Sequence, residues 1–149
     1  MTIRLLPLAA LATTTLVLSP ASAAGPTSVT GVWQVYSDKD GSADGRVRTF
    51  IQDGKLTGVV DELRPDAPGD SKCTKCSGAQ KDQPIKGLVI MWGFAKEGDS
   101  WTGGRILEPH SGSIYRCTVK FVAPNVLEVR GYVGLSLFGR TQTWKRAHE

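Results

Sequence analysis

The sequence is poor in the residues and patterns that would name a chemistry. Its 149 residues hold only two histidines and three cysteines. His148 stands next to the last residue, and His110 shares a turn with Ser111 and Ser113; neighbours in sequence do not make a catalytic triad. Asp61 and Glu62 would point to opposite faces of a strand, so they do not form a carboxylate pair. No glycine-rich loop opens a helix, which removes the usual phosphate cradle. The 18 basic and 14 acidic residues are interspersed without a Lys/Arg block, so a net charge of +4 speaks for solubility and against nucleic acid as a partner. The longest apolar run, Leu5 to Leu18, is shorter than the roughly 18 residues that span a bilayer. Beyond it, no stretch has the period of an amphipathic helix.

The first residues read as a targeting segment. Arg4 gives a short positive start, the apolar run follows, and Ala21-Ser-Ala23 fits a small-residue cleavage site. We therefore expect a secretory signal peptide over residues 1–23 and one domain over residues 24–149. The expected location is the periplasm or the extracellular space, with no stable membrane insertion after cleavage.

What remains alternates. Trp33 and Val35 share one face of Thr30–Tyr36, and Val47, Thr49 and Ile51 share one face of the next segment. Asp53-Gly54 is the strongest hairpin signal, leading into Leu56, Gly58 and Val60. After a polar loop from Arg64 to Pro84, Gly87–Ala95 is apolar on both faces. Trp101–Leu107, Ser113–Val122 and Leu127–Val133 follow, separated by short turns. Gly134 and Gly139 then bracket Leu135-Ser-Leu-Phe138, too short for an ordinary helix. The last strand sets Arg140, Gln142, Trp144 and Arg146 on one face. Eight hairpin-connected strands imply an all-β fold: a single antiparallel up-and-down barrel, in which closure removes exposed edges.

Three pieces carry a resemblance: Gly31-Val-Trp33, Cys73-Thr-Lys-Cys76-Ser-Gly78 with Pro84-Ile-Lys-Gly-Leu88, and Arg130-Gly-Tyr-Val-Gly134 through Phe138-Gly-Arg-Thr141 to Trp144. With Trp101-Thr-Gly-Gly104 between them, the chain resembles the bacterial domain-of-unknown-function family 2147, which implies a small exported protein of no agreed role. The family commonly has Asp-Pro-x-Asn/Asp-Gly where this chain has Glu108-Pro-His-Ser-Gly112, implying the same turn with an altered polar contact. Gly31-Val-Trp33 also resembles the first strand of lipocalins and related calycin barrels. That resemblance implies a Trp closing one barrel end with an arginine of the last strand over it, Arg140 or Arg146, and room for one small ligand.

The Cys73-x-x-Cys76 pair lies in the long loop, and Cys117 follows on a strand face shared with Tyr115 and Val119. One structural disulfide among Cys73, Cys76 and Cys117 is the expected outcome in an oxidising compartment. A thiolate metal site with His110, or a redox pair, are the alternatives. Asp38, Asp40, Ser42 and Asp44 have calcium-loop spacing, but Ala43 and Thr49 replace the required Gly and Glu, so a solvated hairpin loop is expected. No cofactor and no metal are implied. Candidate ligand-contacting residues inside the barrel are Trp33, Trp92, Trp101, Arg105, Tyr115 and Arg140, with Arg105 needing a partner such as Glu62 or a ligand anion if it faces inward. The expected function is non-enzymatic binding of a small, partly apolar molecule. The other readings are a cell-envelope interaction module, or thiol-redox or metal-dependent activity at Cys73 and Cys76.

Overall fold

The computed structural model describes residues 28–135 and 137–148. The segment expected to be a signal peptide lies outside the described residues. Eight antiparallel strands close into a barrel in sequence order: β1 (Gly31–Tyr36), β2 (Ala43–Gln52), β3 (Lys55–Glu62), β4 (Val89–Glu97), β5 (Ser100–Glu108), β6 (Ser113–Ala123), β7 (Val126–Tyr132) and β8 (Gly139–Arg146). No helix among the described residues is long and apolar enough to cross a membrane.

Local chemistry sets the register. Asp53 and Gly54 both take positive φ, 51° and 72°, the turn geometry whose twist matches that of paired strands. From it β2 and β3 pair continuously, Gln52 with Lys55 through Val47 with Val60. The alternating residues Val47, Leu56, Val60, Leu127 and Val129 are buried as the pattern requires, and each such side chain contributes about 1.5–3 kcal/mol.

The ladders carry several register shifts, and two bulges among them move candidate residues. In β5, Trp101 pairs with Val119 but Gly104 pairs with Cys117, so one extra residue intervenes around Gly103. Trp101 shares its side of the sheet with fully buried Val119, and beyond the bulge Gly104 and Ile106 point inward. Arg105 therefore points outward, opposite Trp92 and Arg116. In β4, Met91 and Phe94 pair with Gly58 and Leu56, three steps against two. Both Met91 and Phe94 are fully buried, and the intervening Trp92 turns out beside Arg105. The expectation that Trp92 and Arg105 face the interior is corrected by these bulges. Glu62 is likewise no partner of Arg105; it pairs with Arg46 at 3.4 Å.

The meander separates two unlike ends. One carries the tight turns at residues 53–54, 98–99 and 124–125; the other gathers the connections 37–42, 63–88, 109–112 and 133–138. The closing seam is short. β1 and β8 share two Cα pairs, Trp33 with Arg146 and Gln34 with Lys145. Towards the long connections side chains bridge it: Asp38 Oδ2 accepts from Gln142 Nε2 at 2.8 Å and from Arg140 Nη2 at 2.9 Å.

Candidate functional site

The tight-turn end is sealed. Trp33 is fully buried, and its indole N–H donates to Thr49 Oγ1 at 2.9 Å and to the Val29 carbonyl at 3.2 Å. The Arg146 guanidinium lies 4.3 Å from the Trp33 ring centre. It donates to the carbonyls of Thr30 (2.9 Å) and Ser28 (2.5 Å) and to Asn125 Oδ1 (3.0 Å). Gly31 must be glycine on two counts: its φ is 133°, and a Cβ there would run into the Arg146 guanidinium. Of the two arginines left open by the sequence, Arg146 caps the Trp, while Arg140 sits at the opposite end paired with Asp38.

At the loop-bearing end the barrel holds a cavity of about 1160 Å³. Its walls include Val47, Val60, Ile90, Ile106, Val129 and Trp144, and Tyr115 stands among them. The rim is charged, with Arg46, Glu62, Arg64, Arg140 and Asp38 in ion pairs of 2.6–3.4 Å. These pairs are exposed, and each adds little to stability. A polar thread descends one wall: Trp144 Nε1 donates to Gln142 Oε1 at 3.1 Å, and Gln142 reaches Asp38.

Of the six candidates, Tyr115 and Arg140 border this cavity. Trp33 plugs the other end, Trp101 packs inward near it, and Trp92 and Arg105 lie on the outer surface. Ile106, Gln142 and Trp144 also line the cavity, although they are not among the residues expected to contact a ligand. Ile106 was hidden by the bulge, whereas the shared face of Gln142 and Trp144 on the last strand was a readable signal.

The long loop folds back on itself through the Lys72–Pro84 bridge and the bond from Cys73 N to the Gln83 carbonyl at 2.8 Å. Cys73 and Cys76 form a disulfide, and both are buried. The loop packs on the β5–β6 turn. A Cβ on Gly112 would strike the Lys75 carbonyl, and Cys73 Sγ lies 3.4 Å from the Pro109 carbonyl. Glu108 braces that turn, its carboxylate accepting from the His110 and Ser111 backbone N–H groups at 2.8 and 3.0 Å. Ser71, Lys72 and Ile85 of the loop reach the cavity rim. Cys117 takes no part in the bridge, because it points into the core from between Gly104 and Gly131. Among the described residues no three His, Cys, Asp or Glu side chains are grouped to hold a metal. In the connection of Asp38, Asp40, Ser42 and Asp44, Asp40 Oδ1 accepts from the Ser42 backbone N–H and hydroxyl, which lowers its pKa.

Burial pushes the Cys117 thiol up to about 12. In the unfolded chain it ionises in the usual range, near 8.5–9. The folded state thus holds this proton more tightly, and its contribution to stability is complete below about pH 9 and lost as pH rises towards 12. Thiol titration with a maleimide should find no reactive cysteine in the native protein, one after denaturation and three after reduction. Cys117→Ala should remove the stability loss above about pH 9.

The family model described as "Uncharacterized protein conserved in bacteria (DUF2147)" matches residues 31–146. The chain belongs to that family. The DUF2147 match begins and ends on the two residues of the sealed end, Gly31 and Arg146. No curated protein matches the chain in sequence. Among solved structures it is similar to protein HP1028 from the human pathogen Helicobacter pylori, described as belonging to the lipocalin family, with a TM-score of 0.73 at 20% identity over 83% of this chain and 86% of that one. At that identity the likeness is one of fold, and it agrees with the up-and-down barrel expected from the alternation and with the lipocalin resemblance carried by Gly31-Val-Trp33.

Proposed function

We propose that this DUF2147 barrel works outside the cytoplasm, in the periplasm or beyond, as a non-enzymatic binder of a small, partly apolar molecule. The observation that carries the reading is the cavity of about 1160 Å³, apolar on its walls and charged at its rim. Ligand sites are commonly of this size order and composition, with a few polar groups fixing orientation. Tyr115 and Gln142 offer hydrogen bonds on otherwise apolar walls. The Cys73–Cys76 bridge suits an oxidising compartment. Burial of both sulfurs weighs against a redox pair that exchanges with outside thiols.

The test is uptake of the apolar fluorophore 1-anilinonaphthalene-8-sulfonate, with native mass spectrometry before and after denaturation. Wild type should take up the dye and carry a mass that denaturation releases. Ile106→Phe, which fills the cavity from a half-buried wall position, should weaken dye binding about tenfold or more while the protein stays folded. Unchanged dye binding in a folded Ile106→Phe protein, or no uptake by wild type, would overturn the reading.

A further inference from the structure

We infer that the β7–β8 connection adsorbs on the interfacial region of a lipid bilayer and holds the cavity mouth against it. Val133, Leu135, Leu137 and Phe138 stand on this one connection, exposed at 65%, 68%, 81% and 73%. Residues 133–138 contain no charged side chain. Among the described residues, every other large exposed apolar side chain, Ile51, Val89, Ile114 and Val122, lies on a different strand or strand end. Such scattered exposure is ordinary on soluble proteins, whereas a clustered patch marks a contact.

The fold does not need these side chains. The connection is closed by its backbone, Val133 N to the Phe138 carbonyl at 3.2 Å and Phe138 N to the Leu135 carbonyl at 3.1 Å, which any residue types would serve. The apolar character is therefore directed outward. The tip is also too small to anchor a stable protein partner. Four side chains of this kind offer on the order of 500 Å², against roughly 800 Å² per side in a standard interface. Leu, Val and Phe on a projecting turn can instead enter the boundary between headgroups and acyl chains.

Its position gives the contact a purpose. Val133 and Phe138 border the cavity as well as the tip, so apolar surface runs from the tip to the inner walls. A tip seated in lipid would let an apolar molecule pass between bilayer and cavity without crossing bulk water. Around the mouth Lys39, Arg46, Arg64, Lys72 and Arg140 are nearly balanced by Asp38, Asp44, Glu62 and Glu108, with Arg140 paired to Asp38 and Arg46 to Glu62. Binding should accordingly depend on apolar insertion and respond only weakly to salt. This is surface adsorption, consistent with the lack of a spanning helix among the described residues.

The experiment is co-sedimentation of the protein purified from an exporting host with vesicles of mixed phosphatidylcholine and phosphatidylglycerol. Wild type should pellet with vesicles at low and physiological salt alike. The double variant Leu135→Ser, Leu137→Ser, which leaves the cavity-bordering Phe138 in place, should bind about tenfold less, with its thermal midpoint and vesicle-free dye uptake unchanged. Replacing Leu135 and Leu137 by Ile should retain binding. Wild type staying in the supernatant, the double variant pelleting like wild type, or a wild-type dimer that the double variant abolishes would each overturn the inference. Dye uptake without vesicle binding would sink this inference and leave the cavity reading standing; vesicle binding without dye uptake would do the reverse.

Discussion

Arg146→Ala should lower stability by about 3–4 kcal/mol, the largest loss expected from any charged residue in this barrel. The guanidinium stacks over Trp33 and holds three acceptors from two other parts of the chain. The stacking contributes about 0.5–2 kcal/mol, and hydrogen bonds to a charged group about 1.5–3 each when isolated. The sum is not additive, because the sealed end is partly wet and water can replace some acceptors. For a domain of this size the expected loss corresponds to a fall in melting temperature of roughly 10–15 °C. Arg146→Lys is the informative companion. It keeps a cation near the ring but cannot present the rigid fork, so it should recover less than half of the loss. Calorimetry on the three proteins decides this, and a Lys variant as stable as wild type would mean that charge alone matters.

Gly104→Ala should cost about 3 kcal/mol, although it adds one methyl group. The Cβ would enter the ring of Phe94, which is fully buried and has no room to rotate away. Interiors are packed at crystal density, so the ring, its neighbours or the β4–β5 ladder must shift. Gly58→Ala is the contrast. Its Cβ would meet Met91 at 2.9 Å from Sδ, and a flexible thioether gives way more cheaply, for a cost of about 1 kcal/mol. A double-mutant cycle in urea makes the argument specific. Phe94→Leu combined with Gly104→Ala should be less destabilised than the sum of the singles by about 1–2 kcal/mol. Strict additivity would show that the clash with Phe94 is not the cause.

The barrel was legible because its inner face repeats every second residue on most strands. Leu127 and Val129, or Leu56 and Val60, need no tertiary knowledge to be placed inside, and Asp53-Gly54 fixes a hairpin by backbone chemistry alone. Gly31-Val-Trp33 likewise carried its own explanation once an arginine lay over the ring. The site was read less well. Counting by twos from Trp101 turned Arg105 inward, and the bulge around Gly103 reversed it. On β4, where both faces are apolar, nothing in the residue types reveals that Met91 and Phe94 share a face and Trp92 does not. A bulge is a property of two strands in register, so one strand's sequence does not announce it. The choice of Arg146 over Arg140 was similarly a matter of which barrel end each strand position reaches.

The two-pair seam between β1 and β8 has a consequence for how the protein folds and opens. Seven ladders join strands adjacent in sequence, and each can form by closing a local loop. The eighth must bring Trp33 to Arg146 across the whole barrel sequence. Loop-closure entropy therefore places this ladder last in assembly and makes it the first to part. Contacts formed after the rate-limiting step act on unfolding and not on folding. The stacked Trp33 and Arg146 thus govern how long the barrel stays shut once formed, while the pace of its assembly is set by the hairpins.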